Sequence, residues 1–368
     1  MSKLLTVFSL LLISTSQVYA RAIWLAGEHH EAMTLDSMYC AEASEVEPLE
    51  FPQRPKKWEA RLDLSKINLG VWTQELAEKS VRHPDDPVSE LSFGNPVGLI
   101  RWSWNMGVVG CKGKQSDITT GLRCSTHYGD FQFMHAMGAL EGSEASITKS
   151  KIMAWVRYLL LIIQNAPQQN GQSFIEQNYC EYWAGELKVG NPIADVMTPQ
   201  GQDSFPCVVD KGESWSIASM FAFNCKLDIY TCDVDLSPLN VKSKALGSLL
   251  HLIQDSFSQG HALRGDCCDG VSDDDLAAYQ CSEIKQFNAY QNHDEGRHTA
   301  ADKEPFPGES CSEDSDVNDP VTSGAKLLWI LKTSSASDES IARLVTYFDK
   351  NVFKLVTNPS PSNRGSGF

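Results

Sequence analysis

Between Ser243 and Phe257 the chain sets Leu246, Leu249, Leu250, Ile253 and Phe257 at intervals of three and four, the spacing of one buried helix face. His251, Asp255 and Ser258 run beside that stripe as a polar seam. A polar seam bordering a core face is how a helical bundle presents ligating side chains inward. The whole segment reads HLIQDSFSQGH from His251 to His261. Four residues turn a helix roughly 40° past a full turn, so His251 and Asp255 share a face. His261 then follows Ser258-Gln259-Gly260, where the helix is expected to end or bend.

Histidine and carboxylate at this interval are what a tetrahedral zinc site asks of one rigid element. A second pair with the same interval is His298 and Asp302 in RHTAAD. One such pair alone has a bland reading as a capped or solvated helix face. Two pairs with His261 between them suggest a site holding more than one metal ion.

The N-terminus points to export. Lys3 gives a basic start, Leu4 to Ile13 is apolar, and Val18-Tyr19-Ala20 is a small-residue cleavage pattern, with a cut after Ala22 as an alternative. Residues 1–20 are therefore expected to be a signal peptide. The apolar run is too short for a permanent anchor, and no later segment reaches a membrane-spanning length. The mature protein is expected to be secreted or periplasmic. All 11 cysteines lie beyond residue 20 and none forms a C-x-x-C pair, so disulfides are expected and cysteine-ligated zinc is not. The odd count leaves one thiol over or shared between chains. A net charge of −16 opposes loose binding to polyanions.

A chain of 368 residues can bury a large core. We expect residues 21–357 to form a single, largely helical domain. Glu31 to Ala43 reads as a short helix after His29-His30. Ile147 to Gln164 is the strongest helix, with Ile152, Trp155, Val156, Leu159, Leu160 and Ile163 on a core face. From about 167 to 240 periodicity is lost among Gln, Asn, Gly, Pro and four cysteines, which reads as a disulfide-pinned, loop-rich insertion. A Cys/Asp-rich loop follows at 264–282. Helical patterns are expected around 283–303 and 324–355, the latter interrupted near Ser334 to Ser337, and residues 358–368 read as a disordered tail.

Several other residues take the plain reading. His83 precedes Pro84 and reads as a surface loop residue. His127 reads as a structural histidine, and His293 lacks the carboxylate that His298 has four residues on. The acidic run 266–275 and the DSDVND run from Asp314 lack the calcium-loop pattern. There is no G-x-S-x-G elbow and no phosphate-binding P-loop.

HLIQDSFSQGH resembles the central zinc motif of the superfamily of zinc-dependent bacterial phospholipases C and S1/P1-type nucleases, all-α enzymes with three zinc ions. RHTAAD resembles the family's later histidine and acid. His30 in HHEAMT fits its N-terminal histidine, with His29 as the neighbour. HYGDFQFMH offers Asp130 and His135 for the aspartate and histidine between. The resemblance thus implies an all-α, phospholipase C/P1 nuclease-like bundle binding two to three Zn²⁺. One ion would take Asp130, His135, His251 and Asp255. A second would take His261, His298 and Asp302, and a third His30 and the bridging Asp255. The family's third ion also uses an N-terminal tryptophan; Trp24 is the candidate, yet both cleavage sites leave residues ahead of it.

Clustered zinc acidifies bound water and grips phosphoester oxygens. The resemblance therefore implies a phosphodiester hydrolase, with Asp130 or Asp255 as proton acceptor in addition to ligation. QDSFS resembles the larger secreted phospholipases C of Gram-negative bacteria. The expected reaction is cleavage of a phosphatidylcholine-type lipid, at a membrane or micelle surface, to diacylglycerol and a phosphorylated head group. Trp183, Phe205, Trp215, Phe221 and Phe223 could form a lipid-facing wall, or simply core. The alternatives are a single-strand nuclease, with nucleic acid as partner, and an exported protein whose zinc is only structural.

Overall fold

The computed structural model describes residues 29–43, 58–85, 126, 130–165, 171–184, 190–197, 216–222, 235–265, 283–289 and 319–364. Helical turns of all kinds hold 62% of them and the strands are few and short, so the structure is mostly helical. In chain order the elements are α1 (His29–Ala43), β1 (Arg61–Asp63), β2 (Val71–Thr73), α2 (Gln74–Val81), α3 (Ala145–Gln164), α4 (Tyr179–Ala184), α5 (Ala194–Met197), α6 (Pro238–Phe257), β3 (Ala262–Arg264), β4 (Ile284–Ala289), α7 (Pro320–Thr333), α8 (Asp338–Tyr347) and β5 (Asn363–Arg364). Short 3₁₀ turns include Gln132–His135 and Ile217–Ala222, and a π-helical turn covers Phe348–Val352.

Helix α6 is the axis on which the rest is built. Ser237 caps it by accepting from the Asn240 amide, and Pro238 opens its first turn. Every residue from Asn240 to Phe257 is buried, because α2, α3, α7 and α1 all pack against it. Its polar side chains therefore need partners inside the protein. Lys242 donates to the Ile67 carbonyl at 2.9 Å, Ser248 to Lys244 at 2.8 Å, and Ser256 to Ile253 at 2.7 Å. Gly247 lets α2 come close: a Cβ there would sit 2.1 Å from the carbonyl carbon of Ser80 and 2.5 Å from the Val81 nitrogen.

Around this axis the helical patterns lie where the spacing places them, with shifted ends. All six stripe residues of α3 are buried, and the helix begins at Ala145, closing at a left-handed Asn165 whose N–H returns to Leu161. Thr333 ends α7 and Ser337 caps α8, which locates the expected interruption. His29 and His30 are part of α1 rather than preceding it.

Three expectations change. Residues 284–289 form a strand, not a helix: β4 pairs antiparallel with β3 and parallel with β5. The tail is ordered as far as Arg364, because Ser360 donates its amide to Lys285 and Ser362 to Ser143. The described parts of 167–240 are short helical turns, and Trp183 and Phe221 are core residues rather than a lipid-facing wall; Phe205, Trp215 and Phe223 lie outside the described residues. Trp183 packs against Tyr158 of α3, ring centroids 4.8 Å apart. Cys40 is buried, which lifts its thiol to about 12, and Cys180 is disulfide-bonded. The other cysteines, the signal segment and the 266–282 loop lie outside the described residues. Among the described helices none is long and apolar enough to cross a membrane.

The backbone approach at Gly247 sets a prediction. Gly247→Ala should lower stability by about 2–4 kcal/mol, since the added methyl meets backbone atoms that cannot move without separating α2 from α6. An unchanged urea midpoint would show that the two helices do not approach as described.

Candidate metal centre

The inward seam of α6 is where separate elements meet. His251 is fully buried one turn before Asp255. Its Nδ1–H donates to the Val81 carbonyl at the end of α2, 2.9 Å away, which leaves Nε2 facing inward. That atom lies 3.1 Å from Asp255 Oδ2, 3.2 Å from His135 Nδ1 and 3.7 Å from Asp85 Oδ1. His135 Nδ1 is 2.9 Å from Asp255 Oδ2 and 3.8 Å from Asp85 Oδ1. Ligands about 2.0–2.2 Å from a tetrahedral zinc stand about 3.3 Å from one another. The distances from His135 and His251 to each other and to the two carboxylates bracket that value.

A second group overlaps the first. His30, at the start of α1, places Nε2 3.6 Å from Asp255 Oδ1, and its ring stacks on that of His251 at 4.1 Å. The ligand atoms of His30, His251 and Asp255 lie within 4.8 Å of each other, as do those of Asp85, His135 and His251. The two oxygens of Asp255 thus face different histidines, the disposition a bridging carboxylate requires. His261, in the turn after α6, donates Nδ1–H to the His135 carbonyl at 2.6 Å and sits 3.7 Å from Asp255 Oδ2.

Local structure explains these positions. After α2 the amides of His83 and Asp85 bond back to Ser80 and Arg82, curling the chain toward α6. Arg82 pairs with Glu31 beside His30, joining the ends of α1 and α2. His135 closes a 3₁₀ turn ended by left-handed Ala136. The His261 carbonyl accepts from the Asn288 amide of β4 at 2.8 Å.

The electrostatics agree with the donor set. Burial works against charge on His251, but the carboxylates of Asp255 and Asp85 outweigh it and hold the imidazole up at about 9. Burial would likewise raise Asp255, yet the surrounding imidazoles hold it well below the usual carboxylate range. Positive charge is thus concentrated where a cation would stand. Imidazoles oriented through their outer nitrogens by carbonyls or amides are the usual support of a metal-ligand histidine. The residues present fit a divalent ion; the geometry by itself does not select zinc.

Of the sequence-predicted site residues, His30, His135, His251, Asp255 and His261 converge. Asp130 does not: it is exposed and belongs to neither group, because the turn beginning at Gln132 carries only His135 inward. Asp85 stands where Asp130 was expected. Its sequence signal was slight, an acid two residues after His83 with no helical interval to any ligand. His298, Asp302, Trp24, His127 and His293 lie outside the described residues. His29 takes no part in either group.

His83 is buried, not a surface loop residue. It lines a small, largely apolar pocket together with Pro84, Met134, Trp155, Phe221 and Ser248. Pro84 and Met134 immediately precede Asp85 and His135, so cavity and donor set share backbone. Burial, aided by the Lys244 ammonium, pushes His83 down to about 3.

Comparisons with family models, curated proteins and solved structures returned no match to this chain.

Two predictions follow from the geometry. Asp85→Asn should weaken Zn²⁺ uptake at least tenfold in calorimetric titration, whereas Asp130→Asn should leave it unchanged; the reverse result would restore Asp130 to the centre. His83 is neutral when folded and titrates near 6.5 when unfolded. Its contribution is therefore present above that pH and lost as pH falls from about 6.5 toward 3, at up to about 1.4 kcal/mol per unit. Urea unfolding of chelator-treated protein at pH 7 and 5 should show that slope, and His83→Gln should flatten it.

Proposed function

We propose that this chain is a divalent-metal phosphodiester hydrolase, with Asp85, His135, His251 and Asp255 holding one ion and His30, His251 and Asp255 supporting a second. The observation that carries the reading is that His135 and His251, 3.2 Å apart, each stand 2.9–3.8 Å from both Asp85 and Asp255, all four being buried or half-buried. Divalent ions bound there would supply acidified water and positive charge for the phosphoryl oxygens. The remaining work falls to the chain. Asp255, His135 and His251 are almost wholly enclosed, whereas the side chains of His30 and Asp85 are 21% and 19% exposed. Substrate therefore approaches across His30 and Asp85. Asp85 is the carboxylate placed to accept a proton from incoming water, and Asp255 orients the imidazoles around it.

Within that chemistry we favour a phospholipase C acting on a phosphatidylcholine-type lipid, in a helical phospholipase C/P1 nuclease-like fold with zinc as the ion. Two observations support this choice over a single-strand nuclease. The central motif resembles that family, and the net charge of −16 disfavours a polyanionic substrate. His261 would join His298 and Asp302 at a further ion, and we propose export of the mature protein as its setting.

The test runs purified, zinc-loaded protein in parallel against phosphatidylcholine micelles and single-stranded DNA. Release of phosphocholine, lost in His251→Ala protein that retains its circular dichroism, is the expected outcome. Cleavage of DNA alone would replace the lipid reading with the nuclease one. Chelation that unfolds the protein, with neither substrate cut beforehand, would leave the metal a structural role.

A further inference from the structure

His30 is oriented differently from its neighbours. His251 and His261 donate their Nδ1–H groups to main-chain carbonyls, partners that side-chain substitution at Val81 or His135 would leave in place. His30 donates instead to a side chain, Gln254 Oε1, at 2.8 Å. Gln254 is 3% exposed and directly precedes Asp255 on α6. Its Nε2 donates to Thr34 Oγ1 at 3.0 Å, one turn beyond His30 on α1. The amide therefore spans the two helices with both ends engaged.

We propose that Gln254 is a positioning residue that selects the His30 tautomer and thereby tunes cation binding at the His30–His251–Asp255 group; this rests on the metal reading above. With Oε1 accepting from Nδ1–H, a neutral His30 carries its lone pair on Nε2, which lies 3.6 Å from Asp255 Oδ1. A neutral imidazole has one donor and one acceptor nitrogen, so fixing one fixes the other. Remove the acceptor and the proton is drawn to Nε2, where Asp255 attracts it and where it opposes a cation. Both ends of the Gln254 amide are bonded to α1, at His30 and Thr34, so the effect falls on the His30 side of the centre.

The experiment titrates metal-stripped, full-length mature protein with Zn²⁺ alone, using His30→Ala to mark which binding step belongs to His30. Gln254→Met keeps the volume and removes the acceptor. It should weaken that step by about 10–100-fold and leave the Asp85-dependent step within about threefold. Gln254→Glu, which still accepts from Nδ1–H, should restore binding. Side-chain nitrogen NMR of the stripped protein gives a readout independent of metal: His30 should be protonated at Nδ1 in the wild type and shift toward Nε2 in Gln254→Met. Should that variant fail to fold, Thr34→Val, which releases the far end of the amide, should weaken the same step at least threefold. Wild-type-like binding and an unchanged tautomer in either folded variant would overturn the role given to Gln254. Failure of the wild type itself to take up Zn²⁺ would overturn the metal reading beneath it.

Discussion

The carboxylate of Asp255 is the constraint around which the centre is organised. It is 1% exposed, on a helix with no solvent-facing side beyond its first turn. A charge in that position is costly unless matched, and imidazoles from four places match it: α1, the 3₁₀ turn ending at His135, α6 itself, and the turn that follows. Each of those elements must be held at the correct distance for the carboxylate to remain ionised. That requirement gives several small features a common purpose. The Arg82–Glu31 pair joins α1 to α2, the Val81 carbonyl fixes His251, and β4 grips the backbone of His261.

What could be read from the chain follows the range of the interaction. The stripes of α3 and α6, and the interval from His251 to Asp255, are local periodicities, so they were legible. His261 was legible because it lies four residues beyond the helix end. Asp85 was not, since its place depends on how closely α2 approaches α6, and that depends on the missing side chain of Gly247 more than a hundred and fifty residues away. Asp130 looked right through nearness to His135 in sequence, a criterion the 3₁₀ turn defeats by pointing the two apart. The strand at 284–289 was missed for a related reason. Six residues become a strand only because β3 and β5, remote in sequence on either side, supply its hydrogen bonds.

The aromatic residues of the 167–240 region show the same limit from the other direction. Trp183 and Phe221 had the composition of a membrane-facing wall, but their burial is 97% or more, against α3 and under α6. Composition identifies a side chain that seeks an apolar environment and is silent on whether lipid or protein provides it. The apolar pocket beside the donors is lined by buried Phe221 together with Met134 and Met220, which carried no distinguishing pattern.

A cluster of buried ionisable groups could in principle serve stability alone. That account is weak on energetic grounds, because desolvating charges generally offsets most of what their attraction returns, and apolar replacements of like volume are often as stable. Stability also gives no reason for the particular geometry. A purely structural network needs charges of opposite sign in contact; it does not need His30 and His251 each to secure its outer nitrogen elsewhere, nor both oxygens of one carboxylate to face separate histidines. Those details matter if the space between the inner atoms is to receive a cation. Partial exposure of His30 and Asp85, with full enclosure of the others, then leaves that space approachable from one side, which a closed structural site would not require.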